Sequence, residues 1–254
     1  MTEVKKERYS FSRLTTFLTC KYGYSLRYLE HQKGIGNAFS SYGTLLHSIL
    51  ERYSRGEIGL WDLTDVYEQE FKTAVPEPFP NTKFCPDMRK LYYDQGLEFL
   101  QNFGGHPGAK LLEIETEFDI DIDDWVFNGV VDLVLVEEGD KLIIEDYKSK
   151  SSFKSKAEQF EYARQLYLYA EFVKRKHGRY PDSLRFVLFR KQKQVVIPFK
   201  EKDLEEAISW ARNTVAAIRE CFDYTPSPDP FFCQQLCNHR DTCEYKSEDS
   251  EEKA

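Results

Sequence analysis

Asp132 and the run Asp146-Tyr147-Lys148 are the residues of this chain best suited to chemistry. Two carboxylates can share a divalent cation through hard oxygen ligands, which suits magnesium or manganese. A lysine beside them can orient an attacking water or stabilise charge developing on a phosphate. Those are the parts of a metal-dependent phosphodiesterase. A second set is Cys20 with Cys233, Cys237 and Cys243, the last three reading C-QQL-C-NHRDT-C. Four thiolates can hold a metal, structural zinc among others, and here would tie the two ends of the chain together. Closing a loop of about 200 residues removes roughly 4–5 kcal/mol of unfolded-chain freedom, by analogy with a disulfide. His239 falls inside the cysteine loop and reads as a bystander. Cys221 reads as packed at a helix end, and Cys85 has no assigned role.

These residues need elements to position them. WVFNGVVDLVLV (125–136) and KLIIEDYK (141–148) read as two strands joined by a turn at Gly139, a hairpin. Strand side chains alternate faces, so Asp146 and Lys148 point one way and Glu145 the other. An odd-length loop or a bulge places Asp132 opposite Asp146. Facing carboxylates repel and weaken a sheet unless a cation lies between them. A solvated strand face with scattered charges is the alternative. The apolar neighbours of both aspartates argue against it, since a buried carboxylate needs a partner or a metal.

The remaining chain supplies helices and further strands. Residues 10–31 read as a helix capped at Ser10 or Ser12, and 41–55 as another. Residues 61–103 read as mostly helical, interrupted at Pro76–Pro80. Gly104-Gly105-His106-Pro107-Gly108 is a break. Leu112 to Ile120 alternates as a strand; 157–177 is a helix stopped by Gly178; 184–190 and 194–198 are strands; 202–222 is a helix. The pattern is α/β, a mixed central sheet flanked by helices. It divides into a mostly helical region 1–110, a core 111–200, a helix and cysteine segment 201–245 and a disordered acidic tail 246–254.

Other residues are candidates for supporting parts. His47 lies on an apolar helix face and could give a metal one imidazole ligand, or be structural. Gln165 and Tyr169 share a helix face and could steady a nucleic-acid strand, or form an ordinary polar face. Lys148, Lys150, Lys154 and Lys156 form one basic run, and Arg185, Arg190, Lys191 and Lys193 another. Both could meet phosphates or be solvated faces.

Composition bounds the rest. The chain has 254 residues, 41% hydrophobic and 15% aromatic, enough for a packed core. Its net charge of −8 gives no global field for nucleic acid, so any such binding must be local. A polar, charged start and no long apolar run predict no secretory signal and no membrane partner. A reducing cytoplasm is then expected, where clustered cysteines favour metal over disulfides. No Walker-type phosphate loop is present.

Taken in order, these motifs resemble the PD-(D/E)XK nuclease superfamily, with its restriction-endonuclease-like fold, and specifically its RecB-like branch. The likeness covers most of the chain. Tyr42–His47 resembles the helix histidine motif, Glu115 the first-strand acid, Gly129–Asp132 and Asp146–Lys148 the two central motifs, and Gln165–Tyr169 the Q-x-x-x-Y helix. Ser10–Cys20 resembles the opening of iron–sulfur members, among them the CRISPR-adaptation nucleases and AddB-type helicase–nuclease subunits. The resemblance implies a [4Fe–4S] cluster on Cys20, Cys233, Cys237 and Cys243. Three residues separate the first two C-terminal cysteines where the family pattern has two, and zinc stays an alternative. It implies magnesium or manganese on His47, Asp132, Asp146 and the Tyr147 carbonyl, with help from Glu115 and with Lys148 at the attacking water. It implies contacts to DNA from Gln165, Tyr169, Lys150 and Lys154. The expected activity is exonucleolytic cleavage of single-stranded or end-bearing DNA, with helicase, integrase or repair subunits as possible partners. A non-catalytic nucleic-acid-binding subunit on the same fold is the alternative.

Overall fold

The computed structural model describes residues 6–227 and 229–245, so the acidic tail expected at 246–254 lies outside the described residues. Its centre is a six-stranded mixed sheet. Strand β1 is Arg8–Ser10, β2 Lys110–Ile122, β3 Trp125–Glu137, β4 Lys141–Lys148, β5 Ser183–Leu188 and β6 Lys193–Pro198. The long β3 pairs with β2 along one edge. Its other edge is shared, with β1 running parallel to residues 126–128 and β4 antiparallel to residues 133–137. Beyond β4 come β5, parallel, and β6, antiparallel.

Helices cover both faces. Helix α1 is Phe11–Thr19, α2 Lys21–Tyr24, α3 Ala38–Ser54, α4 Leu63–Ala74, α5 Met88–Asn102, α6 Lys156–His177 and α7 Glu201–Arg219. On one face α6 and α7 bury Leu166, Tyr167, Ala170, Leu204 and Ala211 against Ile144, Phe186 and Val131. On the other, α3, α4 and α5 bury Leu46, Ile49, Leu50, Tyr67 and Phe99 against Tyr147, Val187 and Phe189. Strand β4 is therefore covered on both sides and buried from Leu142 through Tyr147. A strand in that position has no reason to alternate, and LIIEDY does not. Among the described residues no helix is long and apolar enough to cross a membrane.

The expected α/β architecture and most elements are present. The hairpin closes on a three-residue loop between paired Glu137 and Lys141, with Gly139 and Asp140 both at positive φ. The helix expected over 10–31 is a correction. It is preceded by β1, and it breaks at Cys20, which is extended (φ −155°, ψ 110°). There the Cys20 side chain caps the next turn, its Sγ accepting from the Gly23 N–H at 3.4 Å. A side chain that satisfies the following turn this way competes with helix continuation. The last helix also stops earlier than expected, at Arg219, leaving Cys221 outside it with its Sγ facing the Asp223 carbonyl at 3.2 Å.

Candidate functional site

The site forms where β4 parts from β3. Their ladder ends at Leu133 opposite Glu145, so the next pair in register is Asp132 opposite Asp146. Instead of a ladder bond, Asp132 Oδ2 accepts the Tyr147 N–H at 2.8 Å. On the other edge of β3, Ile114 pairs with Leu133 and Thr116 with Val131, which sets Glu115 across from Asp132. Three carboxylates thus stand abreast on three adjacent strands. Glu115 has φ 42° within a strand. A left-handed side-chain-bearing residue there costs on the order of 1–3 kcal/mol and marks a constrained site.

Helix α3 brings His47 over this row. Its Nε2 donates to the Tyr147 carbonyl at 2.9 Å, and its Nδ1 lies 3.4 Å from Asp132 and 3.7 Å from Glu115. One ligand atom each from His47, Glu115 and Asp132 falls within 4.8 Å of the others. A lone pair on Nδ1 facing carboxylates needs a proton or a metal between them. Burial works against the His47 imidazolium, but the carboxylates of Asp132, Glu115 and Asp146 outweigh it and raise its pKa. Burial also raises the Asp132 carboxyl, and pushes Asp146 up to about 6 with Asp132 adding to the push. Asp146 is 2% exposed, and its Oδ2 accepts no well-directed hydrogen bond although the Lys148 ammonium lies 2.8 Å away. A divalent cation would remove each of these strains, so the donor set fits one.

Lys148 is held from two sides. Its Nζ donates to Asp146 Oδ1 at 2.9 Å and to Gln165 Oε1 at 3.1 Å, and Gln165 Nε2 donates to the Tyr169 hydroxyl at 2.8 Å. Burial opposes the charged lysine, yet Asp146 and Asp132 win and its pKa rises.

The other expected site residues have these surroundings. The Tyr147 carbonyl, expected as a metal ligand, is engaged by His47. Gln165 and Tyr169, expected at a substrate strand, stand behind Lys148; Tyr169 is 5% exposed and packs on Phe118. Both also line a groove of about 490 Å³ with Ser10, Ser12, Thr15 and Asn128. Lys150 is tied to Glu158 at 2.9 Å and to the Tyr162 hydroxyl at 3.3 Å, and the backbone of Lys154 donates to the same Glu158. Arg185 is buried between Glu145 and Glu137 rather than open to phosphate. Sequence reasoning missed the hydroxyl-lined groove and discounted Glu145. The signal for Glu145 was available, since a strand buried on both faces has no outward side.

The cysteines gather elsewhere, between the two ends of the chain. All are free. Burial raises the Cys237 and Cys243 thiols; Cys243, Cys233 and Cys20 add to the first, Cys20 and Cys233 to the second. Cys20, Cys237 and His239 line a cavity of about 280 Å³. The segment grips the entry to α3. Asn238 accepts the Ile35 N–H at 2.8 Å, and the Asn37 side chain, which caps α3, donates to the Leu236 carbonyl at 3.1 Å.

Similarity to known proteins bears on the family and the fold. A sequence model of the PD-(D/E)XK nuclease superfamily matches residues 8–244. The crystal structure of a protein from Eubacterium rectale described as a candidate exonuclease aligns with 96% of this chain and 91% of its own, at 14% identity and a TM-score of 0.53. At that identity the likeness shows the fold. The crystal structure of SSO0001 aligns with 97% of this chain and 91% of its own, at 15% identity and a TM-score of 0.41. No curated protein matches the chain. With the match running from β1 to the last cysteine, the chain belongs to the PD-(D/E)XK nuclease superfamily.

Proposed function

We propose that the chain is a metal-dependent DNA nuclease of the RecB-like branch, acting exonucleolytically on single-stranded or end-bearing DNA. One observation carries this reading. Glu115, Asp132, Asp146, Lys148 and His47 come from four separate elements and converge where β4 leaves β3. A purely structural site has no use for three buried or half-buried carboxylates in a row, which oppose one another unless a cation is shared.

Glu115, Asp132, Asp146 and the Nδ1 of His47 would hold magnesium or manganese. Bound there, the metal supplies Lewis-acid polarisation of the phosphate and a more acidic water. Lys148, 2.8 Å from Asp146, stands beside the metal ligands to act at the attacking water. It orients the attacking water, whose proton passes to solvent as the new P–O bond forms, and stabilises the phosphate oxygens while the ester P–O bond breaks and solvent protonates the leaving oxygen. Gln165 fixes the lysine from behind. The hydroxyls of Ser10, Ser12 and Thr15 suit the sugar–phosphate backbone of a strand entering the groove.

The four cysteines are read as ligands of a [4Fe–4S] cluster. Tetrahedral zinc, with Zn–S of about 2.3 Å, draws its sulfurs to within roughly 4 Å of one another. Four thiolates suit either metal, and the resemblance of Ser10–Cys20 to iron–sulfur members is what favours the cluster.

Anaerobically purified protein incubated with end-labelled single-stranded DNA and manganese, beside Asp146→Ala, tests the reading. Cleavage by the wild type alone supports it, and the product ladder gives the polarity. No cleavage by either protein, folded and with a loaded cluster, sinks it in favour of a binding subunit.

A further inference from the structure

A strand of DNA at the nuclease site can leave it in two directions across the sheet. Toward β1 lies the groove lined by Ser10, Ser12 and Thr15, whose one guanidinium, Arg8, is held by both oxygens of Asp119. The residues lining that side offer hydroxyls and no free cation, and Glu117 lies among them. Toward β6 the charge is different. Register sets Lys148 beside Leu188 of β5, and Leu188 beside Lys193 of β6. Residues in register point to one face of a sheet, so Lys193 stands on the face that carries Asp146 and Lys148. Two interstrand spacings separate the Lys148 and Lys193 Cα atoms, roughly 10 Å.

The two basic runs of the sequence meet here. The segment after β4 crosses β5, with the Phe153 ring packed on Phe186 at 5.2 Å between centroids, and the Lys150 carbonyl accepts the Arg190 N–H at 3.3 Å. Phe186 pairs with Val195 of β6, so the crossing carries the segment of Lys154 onto the face of Lys193. The fold then sorts the cations. Lys150 is spent on Glu158, and Arg185 on Glu145 and Glu137. Arg190 lies over the Tyr92 ring with its Nε donating to Gln95 at 2.7 Å. Lys154, Lys191 and Lys193 are left exposed, and neither Lys191 nor Lys193 has an ion pair among the described residues. Glu137, Glu138 and Glu145 lie on the opposite face, in a cavity shared with Gln192 and Gln194. In a chain of net charge −8, a local surplus of cations beside the site is where a polyanion can be held.

We infer that Lys154, Lys191 and Lys193 hold the phosphates of a single DNA strand leaving the nuclease site on the β6 side. A stacked strand rises about 3.4 Å per nucleotide, so the span from Lys148 to Lys193 takes about three. Contacts of this kind fix the position of the strand and not its sequence. The inference rests on the nuclease reading for its substrate.

The test measures fluorescence anisotropy of a short labelled oligothymidylate bound to the full chain, over a range of salt concentrations, in EDTA to withhold metal and so cleavage. Each phosphate contact on a single strand contributes about 0.7 to the slope of log affinity against log salt. Lys191→Gln combined with Lys193→Gln should lower that slope by about 1.4 and weaken binding roughly tenfold at low salt. Lys154→Gln added to the pair should remove about 0.7 more. Lys141→Gln, exposed at the other end of β4, takes away one charge and should leave the slope unchanged. Manganese-dependent cleavage is read on the same preparation of wild-type protein. Cleavage together with a wild-type slope in the double variant, or a fall of slope in Lys141→Gln equal to that of each lysine, overturns this inference and leaves the nuclease reading standing. Neither cleavage nor DNA binding by the folded wild type overturns both.

Discussion

At the scale of single residues, the site is held in a state that a cation would relieve, and pH exposes this. The Asp146 pKa of about 6 lies above the value of about 3.9 expected in the unfolded chain. A group raised on folding stabilises the fold below its unfolded pKa and loses that contribution as pH rises through the folded one. His47 is raised too and acts in the same direction. Metal requires Asp146 deprotonated and His47 neutral, so metal binding strengthens over the same interval. Manganese should therefore raise Tm more at pH 8 than at pH 5, measured by differential scanning fluorimetry, and Asp146→Asn should lose most of that difference. Glu115 gives a second residue-scale prediction. Glu115→Gly relieves a φ of 42° and should stabilise the metal-free protein by about 1 kcal/mol in urea denaturation, while weakening manganese affinity in calorimetry. A loss of stability on that substitution would mean that the backbone there is unstrained.

At the scale of elements, α6 is a prop for β4. Gln165 and Tyr169 lie one helical turn apart, and the chain of hydrogen bonds from Tyr169 through Gln165 ends on the Lys148 ammonium. Gln165→Ala should lower kcat on single-stranded DNA about tenfold or more with KM nearly unchanged, since the lysine loses its orientation. A rise in KM alone would return Gln165 to the strand-holding role its spacing suggests. Gly129 on β3 admits Tyr169 to this position. A Cβ there would sit 2.9 Å from Tyr169 and 2.8 Å from Phe118, so Gly129→Ala should cost about 1–3 kcal/mol by overpacking. The same experiment should show slower cleavage, as Tyr169 is displaced from Gln165. The hairpin and α6 were legible in the sequence because each has its own local signal, a turn with Gly139 and a Gly178 stop. Strand β1 was not, because three residues carry no periodicity and its pairing partner lies more than a hundred residues away.

At the scale of the whole molecule, the cysteine segment closes the chain and grips the start of α3 through Leu236, Asn238 and Asn37. Helix α3 carries His47, so the clip and the nuclease site share one element. Cys237→Ser should lower unfolding stability by several kcal/mol, about 4–5 for loss of a closure of this length. Anaerobic urea titration reads the stability, and iron and zinc analysis of the same samples tests whether the cysteines hold a metal. Unchanged stability in the variant would remove the structural role proposed for the four cysteines.

The sequence by itself determined the α/β class, the hairpin that carries Asp132 and Asp146, and the order of motifs, because each rests on local periodicity or on residues close along the chain; the three-residue loop seen in the structure then set Asp132 against Asp146. Tertiary structure alone decided the rest. Register across β2, β3 and β4 put Glu115 in line with the aspartates, and packing of α3 turned His47 onto them. The burial of β4 on both faces made Glu145 part of a network with His106 and Arg185 rather than a surface charge. Hydrogen bonds link Tyr169 through Gln165 to the Lys148 ammonium. These outcomes depend on contacts between distant segments, and such contacts set which face of a strand is buried and which polar atom finds a partner.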